Sequence, residues 1–284
     1  MYHLFCRQTT LTKEVLSGHR YRYNKLFQDR IIISRGFVGS DSRKQTTMSS
    51  SLSEQEVAHW DGLWQEGIEK GTRWDVGHAE PELVYEVKEG ILKPKTETAR
   101  ALVPGCGRGY AVKALAELGY SQAVGLELSA KAVQIAQEDS PHPAAKYLEG
   151  DFFKTSPDRL GGEAFDLIFD STFLCAIPPT LREQWASQMV SLLKNDGGLL
   201  AMNVFPVARD PQAPEIGLDG PFGEGPPYRL SLQLVKTLFK PFDKEMKLIL
   251  CKEVPIERQS RAPLPGKWGD TITEHLMVWE RRTG

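Results

Sequence analysis

Short apolar runs alternate with amphipathic helical patterns over residues 100–205. This alternation predicts an α/β fold, with a mostly parallel sheet and helices on both of its faces. A glycine-rich loop follows the first apolar run, as in Rossmann-like folds, where a strand turns sharply into a helix. Two further strand patterns near the C-terminus would complete seven strands. The sequence therefore predicts a Rossmann-like, seven-stranded, mostly parallel sheet.

Residues 48–99 precede this core and read as a helical segment. Ser53 and Glu56 have the spacing of a capping box, which predicts a helix start. The apolar stripe that follows extends to Ile68, and Gly71 is predicted to end the helix. A second short helix is predicted from Pro81 to Gly90.

Three tryptophans stand close together in this segment. They serve either as core packing for the first helix or as an apolar lid over a flat or cationic ligand, since tryptophan faces attract cations. Both interpretations stay open at this point. The residues concerned are Trp60, Trp64 and Trp74.

The core and the C-terminal part supply the strands in order. The predicted strands cover residues 101–103, 123–126, 147–148, 165–169 and 199–205, followed by 245–255 and 271–279. Helices are predicted over 111–118, from the capping residue Ser129, over 181–193, and from the capping residue Ser231. Residues 206–228 are rich in proline and glycine, which predicts a long loop.

Several chemically useful residues come directly after predicted strands. Parallel strands place their carboxyl ends at one edge of a sheet, so these residues are expected to converge. Glycines there would leave room for a ligand, Glu127 could accept from both hydroxyls of a ribose, and Asp151 could accept from an exocyclic amine. Phe152 could lie on an adenine plane. The predicted site comprises Gly105, Glu127, Asp151, Phe152 and Ser171 beside Asp170.

The glycine spacing bears on which nucleotide binds. A dinucleotide site of the NAD type prefers G-x-G-x-x-G, because its pyrophosphate lies on the loop. Here the glycines are Gly105, Gly107 and Gly109. That spacing, with an acid after the third strand, favours S-adenosylmethionine. A NAD-type dehydrogenase is the less favoured alternative.

The combined motifs resemble a known family. They are residues 101–110 around the glycine loop, 124–129, 150–153, 165–173, the Ile-Pro-Pro of 177–179 with Arg182 and Trp185, and 225–228. Together they resemble the thiopurine/thiol methyltransferase branch of the class I methyltransferases, with the plant thiol (thiocyanate, halide) methyltransferases most similar, over roughly residues 55–280.

The resemblance implies S-adenosylmethionine contacts from the residues already predicted and from the tryptophans, namely Trp60, Trp64, Trp74, Gly105, Glu127, Asp151 and Phe152. The family's tip of strand four commonly reads Phe-Asp-Tyr-Thr-Phe. Ser171 replaces that tyrosine here, which leaves a smaller side chain near the site of methyl transfer.

The expected reaction is S-methylation of a small thiol or related soft anion, such as hydrosulfide, thiocyanate, a halide or an aromatic thiol. Thiolates are strong nucleophiles, so no strong general base is expected. Tyr228 and Arg229 are candidates for contact with an anionic acceptor. The alternatives are methylation of an oxygen or nitrogen atom and a non-catalytic binding module. Gly225–Tyr228 resembles the Asn/Asp-Pro-Pro-Tyr motif of amino methyltransferases that act on bases, but in those enzymes the motif lies at the tip of strand four. Here Asp170 to Phe173 occupy that place, so base methylation of nucleic acid is rejected.

Composition limits the partners. The chain has 284 residues and a formal net charge of -2, which argues against a broad nucleic-acid surface. Four scattered cysteines predict neither a metal site nor a disulfide framework and favour a reducing compartment. No apolar run approaches the ~20 residues needed to span a bilayer. We expect a monomer that acts on small molecules, without a nucleic-acid or membrane partner.

Residues 1–47 differ in composition from the rest. They carry nine Lys or Arg residues against three acids, with many hydroxyl side chains. This is typical of a transit peptide, but a disordered tail or an upstream extension of the reading frame before Met48 remains open. The localisation expected is cytoplasmic, or mitochondrial if the segment is a transit peptide. Residues 48–284 are predicted to form one domain, divided into 48–99, the cofactor core 100–205, and the substrate side 206–284.

Overall fold

The computed structural model describes residues 51–208, 226–260 and 272–283. The predicted extension over 1–47 lies outside these ranges, as does the predicted loop from 209 to 225. Within them the helices are α1 (Glu54–Glu66), α2 (Pro81–Lys88), α3 (Tyr110–Glu117), α4 (Ala130–Asp139), α5 (Arg182–Leu192) and α6 (Leu232–Leu238). In this described part of the chain, no helix has the length and apolar character that crossing a membrane requires.

The strands form one sheet. They are β1 (Arg100–Pro104), β2 (Gln122–Glu127), β3 (Ala145–Glu149), β4 (Leu167–Ser171), β5 (Leu199–Ala208), β6 (Met246–Glu253) and β7 (Ile272–Arg281). Their order is β3-β2-β1-β4-β5-β7-β6, with β7 antiparallel to both of its neighbours and the other pairs parallel. The prediction of a seven-stranded, mostly parallel sheet is confirmed.

The sheet is covered on both faces, as the near-continuous apolar strands require. Successive residues of a strand point to opposite faces. Leu102 therefore joins the layer that contains α5 and α6, whereas Val103 joins the layer that contains α2 and α3. A third, smaller cluster holds α1 against α4. The chain order reverses between β1 and β4, and such a reversal opens a crevice at the carboxyl ends of the two strands.

Helix α1 begins as predicted and ends earlier. Both hydrogen bonds of the Ser53–Glu56 capping box are present. The helix stops at Glu66, because Gly67 adopts a φ of 86° and breaks the helical backbone. The prediction that the helix continues through Ile68 to Gly71 was wrong. Ile68 is nevertheless buried, since the chain beyond the helix folds back against α4.

Strand β5 continues into the predicted loop. The boundary at residue 206 was wrong, because Val207 and Ala208 still pair with Thr273 and Ile272 of β7. The register is irregular between Val204 and Val207, around Pro206, which has no N–H to donate to the ladder. Pro206, the first of the prolines that predicted a loop, therefore lies inside the strand.

The turn between β1 and α3 depends on Gly109, which caps α3 with a φ of 79°. A Cβ there would lie 2.4 Å from a ring atom of Tyr147. That ring is held in place by a hydrogen bond of 2.6 Å from its hydroxyl to the Ser140 carbonyl.

We predict that Gly109→Ala destabilises the protein more than Gly162→Ala, by about 1–3 kcal/mol, because both replacements strain a left-handed backbone but only the first adds a clash. Gly162 has a φ of 89° and open space around its Cβ position. Urea unfolding of the two variants measures the difference. Equal losses would contradict the role of Tyr147.

Candidate active site

A cleft opens at the carboxyl ends of β1 and β4, where the strand order reverses. Its volume is about 540 Å³, including space open to solvent. The loop after β1, the segment between α1 and α2, and the tip of β4 form its walls. Trp64, Trp74, Gly105 and Ser171 line it, so four of the predicted site residues meet there.

The glycine loop exposes backbone to the cleft. Gly105 and Gly107 adopt φ values of 59° and 52°. A Cβ on Gly105 would lie 2.5 Å from the ring of Phe173, so only glycine fits. The Phe173 ring packs edge to face on Phe152, with 5.2 Å between centroids. Phe152 is itself buried and lies behind Phe173, outside the described lining of the cleft.

Glu127 supports the loop from behind. Its carboxylate accepts hydrogen bonds from the N–H groups of Gly107 at 3.0 Å and Leu128 at 2.7 Å. The side chain is buried, and burial raises its pKa against the opposing effect of these hydrogen bonds. It is the last residue of β2, so its place at the carboxyl end of that strand is as predicted. It holds the loop in shape, although it is not among the described lining residues.

Asp151 caps a short 3-10 turn after β3. Its carboxylate accepts from the N–H of Phe153 at 2.9 Å and lies 3.1 Å from the Lys154 ammonium group. Like Phe152, it is not among the described residues that line the cleft. The predicted contacts of Asp151 and Phe152 with an adenine remain predictions.

The three tryptophans form one cluster. Trp74 makes edge-to-face contacts with Trp60 at 5.4 Å and with Trp64 at 6.3 Å between centroids. Trp64 and Trp74 face the cleft, and Trp64 also packs with Ile68 and Ala132. The two interpretations of these residues are compatible, since the same rings serve as core for α1 and as wall for the cleft.

Arg108 was not predicted, and it connects the glycine loop to the tryptophan segment. Its guanidinium group lies 2.6 Å from a carboxylate oxygen of Asp75 and 2.6 Å from one of Asp139. It also donates to the carbonyl of Ile68 and lies over the Trp64 ring, 6.0 Å from the centroid. Its partners are 31 to 40 positions distant in sequence, so no local pattern predicts them.

Glu80 was also missed. It is 6% exposed and stands at the N-terminal cap of α2, yet its side chain makes no capping bond to that helix. It accepts a hydrogen bond from the hydroxyl of Ser171 across the cleft wall. An acid immediately before Pro81 is a signal for a helix start, but nothing in the sequence indicates that it turns toward β4.

Asp170 organises the loop after β4. Its carboxylate is 1% exposed and accepts from the N–H groups of Phe173 at 2.8 Å and Leu174 at 3.2 Å. The indole N–H of Trp185 donates to it at 3.1 Å. Burial outweighs these three bonds and raises the pKa of Asp170 to about 6.

Cys106 and Tyr110 also line the cleft near the glycine loop, and both have a raised pKa. Burial and the adjacent Glu127 carboxylate raise the pKa of the Cys106 thiol well above its ordinary value. Burial and the nearby Asp75 carboxylate raise the pKa of Tyr110 to about 12. Both therefore stay protonated at neutral pH.

Tyr228 and Arg229 lie next to the loop after β4. The N–H of Tyr228 donates to the carbonyl of Cys175 at 2.6 Å, and the carbonyl of Arg229 accepts from buried Arg182 at 3.0 Å. Neither residue is among the described lining of the cleft. Their predicted contact with an acceptor remains a prediction.

Comparison with known proteins shows to which family this chain is similar. Residues 55–281 match the model of the thiopurine S-methyltransferase (TPMT) family. The chain is 35% identical over 246 residues to probable thiol methyltransferase 2 of Arabidopsis thaliana, covering 83% of this chain and 98% of that protein. It is 36% identical over 230 residues to thiocyanate methyltransferase 1 of the same plant, covering 80% and 86% respectively.

Solved structures agree on the fold. A SAM-dependent methyltransferase from Anabaena variabilis superposes with a TM-score of 0.57 at 18% identity, covering 83% of this chain and 98% of that one. A protein solved in connection with the conversion of a disulfide bond into a thioacetal group during echinomycin biosynthesis gives a TM-score of 0.55 at 20% identity, covering 80% and 94%. At these identities the likeness concerns architecture alone.

Because the pKa of Asp170 is raised, the free energy of unfolding is predicted to depend on pH. A folded-state pKa above the unfolded value means that the folded protein favours the protonated carboxyl. The stabilisation is complete below about pH 4 and is lost as pH rises through about 6. We predict that the free energy of unfolding of wild type, relative to Asp170→Asn, falls by up to about 3 kcal/mol from pH 4 to pH 7. Chemical denaturation of both proteins across that range measures it, and a difference independent of pH would contradict the assignment.

Proposed function

The chain belongs to the thiopurine S-methyltransferase family, and on that premise we propose that its cleft binds S-adenosylmethionine and a small thiol or related soft anion. It is an S-adenosylmethionine-dependent S-methyltransferase. The observation that carries this function is the match across nearly the whole of a plant thiol methyltransferase. The cleft at the strand reversal between β1 and β4 agrees with it.

The described residues fit such a cofactor. Gly105 and Gly107 present bare backbone, since a Cβ on Gly105 would clash with Phe173 and Gly107 has a φ of 52°, which favours glycine. The rings of Trp64 and Trp74 line the same cleft, and tryptophan faces attract a cation such as a sulfonium. We propose that the residues that would hold the cofactor are Trp60, Trp64, Trp74, Gly105, Glu127, Asp151, Phe152 and Ser171.

When bound, S-adenosylmethionine supplies an electrophilic methyl group. The protein's contribution is to position the acceptor and to exclude water, which in the best intramolecular cases supplies roughly 7–11 kcal/mol. We propose that the packed tryptophan rings serve this exclusion of water, since Trp64 and Trp74 line the cleft and contact each other edge to face. Tyr228 and Arg229 stay candidates for contact with an anionic acceptor from the side of the β4 loop.

We further propose that the enzyme acts as a monomer on small molecules, without nucleic acid or a membrane as partner. The acid-poor segment 1–47 lies outside the described residues. It leaves cytoplasmic and mitochondrial locations as alternatives, which a fusion of residues 1–47 to a fluorescent reporter distinguishes. Residues 48–284 are proposed to act as one domain.

We predict that Glu127→Gln weakens S-adenosylmethionine binding about 10- to 100-fold, because an amide leaves one of the two buried N–H donors unmatched and no longer offers a charge-assisted bond to ribose. Glu149→Gln is the matched control, since Glu149 pairs with Glu127 in the sheet but is exposed. Titration calorimetry measures both variants. Wild-type affinity in Glu127→Gln would refute the ribose assignment, and binding of NAD in place of S-adenosylmethionine would refute the cofactor.

We predict methyl transfer to sulfur acceptors in a screen of hydrosulfide, thiocyanate, thiophenols and thiopurines, with iodide as the halide. Amines and phenols should give no product, because nitrogen and oxygen are less polarisable nucleophiles than sulfur and both groups stay protonated near neutral pH. Mass spectrometry of the methylated products measures this. Products confined to nitrogen or oxygen acceptors would overturn the assignment to sulfur.

A further inference from the structure

The cleft wall on the side of β4 carries a carboxylate that the reaction has not yet used. Glu80 is 6% exposed and lines the cleft together with Ser171. An acidic residue at a helix N-terminal cap ordinarily accepts from the first N–H groups of its own helix. Glu80 makes no such bond, and instead its carboxylate accepts from the hydroxyl of Ser171. The carboxylate is thus directed to the tip of β4.

The elements that carry Glu80 are firmly held. Leu83 and Val87 bury α2 in the core. On the same helix, Glu82 and Glu86 lie 2.7 Å and 2.6 Å from the ammonium group of Lys252 on β6. Because α2 is fixed at its core face and by these ion pairs, the position of Glu80 is preorganised.

The charges in the described cleft lining favour a proton acceptor over an anion site. The charged or titratable groups are Asp75, His78, Glu80 and Arg108, with protonated Cys106 and Tyr110 beside them. The guanidinium nitrogens of Arg108 already donate to other groups of the protein, namely Asp75, Asp139 and the carbonyl of Ile68. His78 is exposed, with its Nδ1 2.8 Å from the Ala79 carbonyl. In the described lining, the charged side chains are thus the carboxylates of Asp75 and Glu80 and the guanidinium of Arg108.

We propose that Glu80 is a catalytic residue that accepts the proton of a neutral thiol, that Ser171 positions its carboxylate, and that the pair selects protonated thiols over preformed anions such as thiocyanate and iodide. This inference rests on the proposed function and narrows its acceptor. It also revises the expectation that no base is needed. That expectation suits thiocyanate and halides, which carry no proton, but an aliphatic thiol is only a few per cent ionised at pH 7.

The step balances as follows for a thiol RSH. The S–H bond breaks, and its proton passes to a carboxylate oxygen of Glu80. The electron pair of the thiol sulfur forms the new S–CH₃ bond. The electron pair of the broken sulfonium–methyl bond returns to the donor sulfur, which becomes a neutral thioether. Glu80 then returns its proton to solvent when the products leave.

The kinetic test compares two acceptors in Glu80→Gln. At pH 7 the ratio of kcat/KM for an alkanethiol to kcat/KM for thiocyanate is expected to fall roughly 30- to 100-fold, since about 3% of a thiol with a pKa near 8.5 is ionised. The loss should shrink as pH rises toward 10, where the thiol ionises without a base. Ser171→Ala should lower the same ratio by a smaller factor. Glu89→Gln, an exposed position just after α2, should leave the ratio unchanged.

A binding test does not depend on turnover. Calorimetry of thiocyanate with the S-adenosylhomocysteine complex should show severalfold tighter binding to Glu80→Gln than to wild type, because a negative charge has left the wall. Equal effects on both acceptors, or unchanged thiocyanate affinity, would overturn the proposal. Retained S-adenosylhomocysteine binding by Glu80→Gln shows that the variant is folded. A wild type that methylates no sulfur acceptor would instead refute the proposed function.

Discussion

The guanidinium group of Arg108 is the contact on which the geometry of the cleft depends. It stands between two glycines of the loop after β1 and bonds outward to Asp75, to Asp139 and to the carbonyl of Ile68. One side chain thereby joins the glycine loop, the C-terminal end of α4 and the segment that carries Trp74. With its side chain 10% exposed, these pairs are shielded more from solvent than surface ion pairs are. Arg108 thereby fixes the glycine loop relative to the wall that carries Trp74.

Buried carboxylates recur along the same edge of the sheet. Glu127, Asp170 and Glu80 each accept hydrogen bonds from groups in the loops around them. Glu127 shapes the loop after β1, and Asp170 shapes the loop after β4. A carboxylate without such donors would be costly to bury, so each loop is stabilised in the conformation that supplies them. The irregular backbone that a ligand site needs is thus held by buried carboxyl groups that accept hydrogen bonds from it.

Much of the fold could be predicted from the sequence, because strand and helix patterns are local and short connections restrict how βαβ units assemble. Gly105, Glu127 and Ser171 could be placed for the same reason, since each lies at the carboxyl end of a strand, which topology fixes. Arg108 and Glu80 could not. Their partners lie 31 to 91 positions distant and are brought together only by tertiary packing. The early end of α1 depended on the conformation of Gly67, and the extension of β5 depended on pairing with β7.

Cys106 has a consequence for an enzyme that alkylates sulfur. Its thiol lines the cleft, beside the loop where the methyl donor is proposed to lie. The thiolate is the nucleophilic form of cysteine, and burial next to the Glu127 carboxylate keeps Cys106 in the thiol form. Burial first, and the Glu127 carboxylate second, therefore disfavour the form of Cys106 that a methyl donor would alkylate. A neutral residue at position 127 would remove the smaller, electrostatic part of that effect and leave the effect of burial in place.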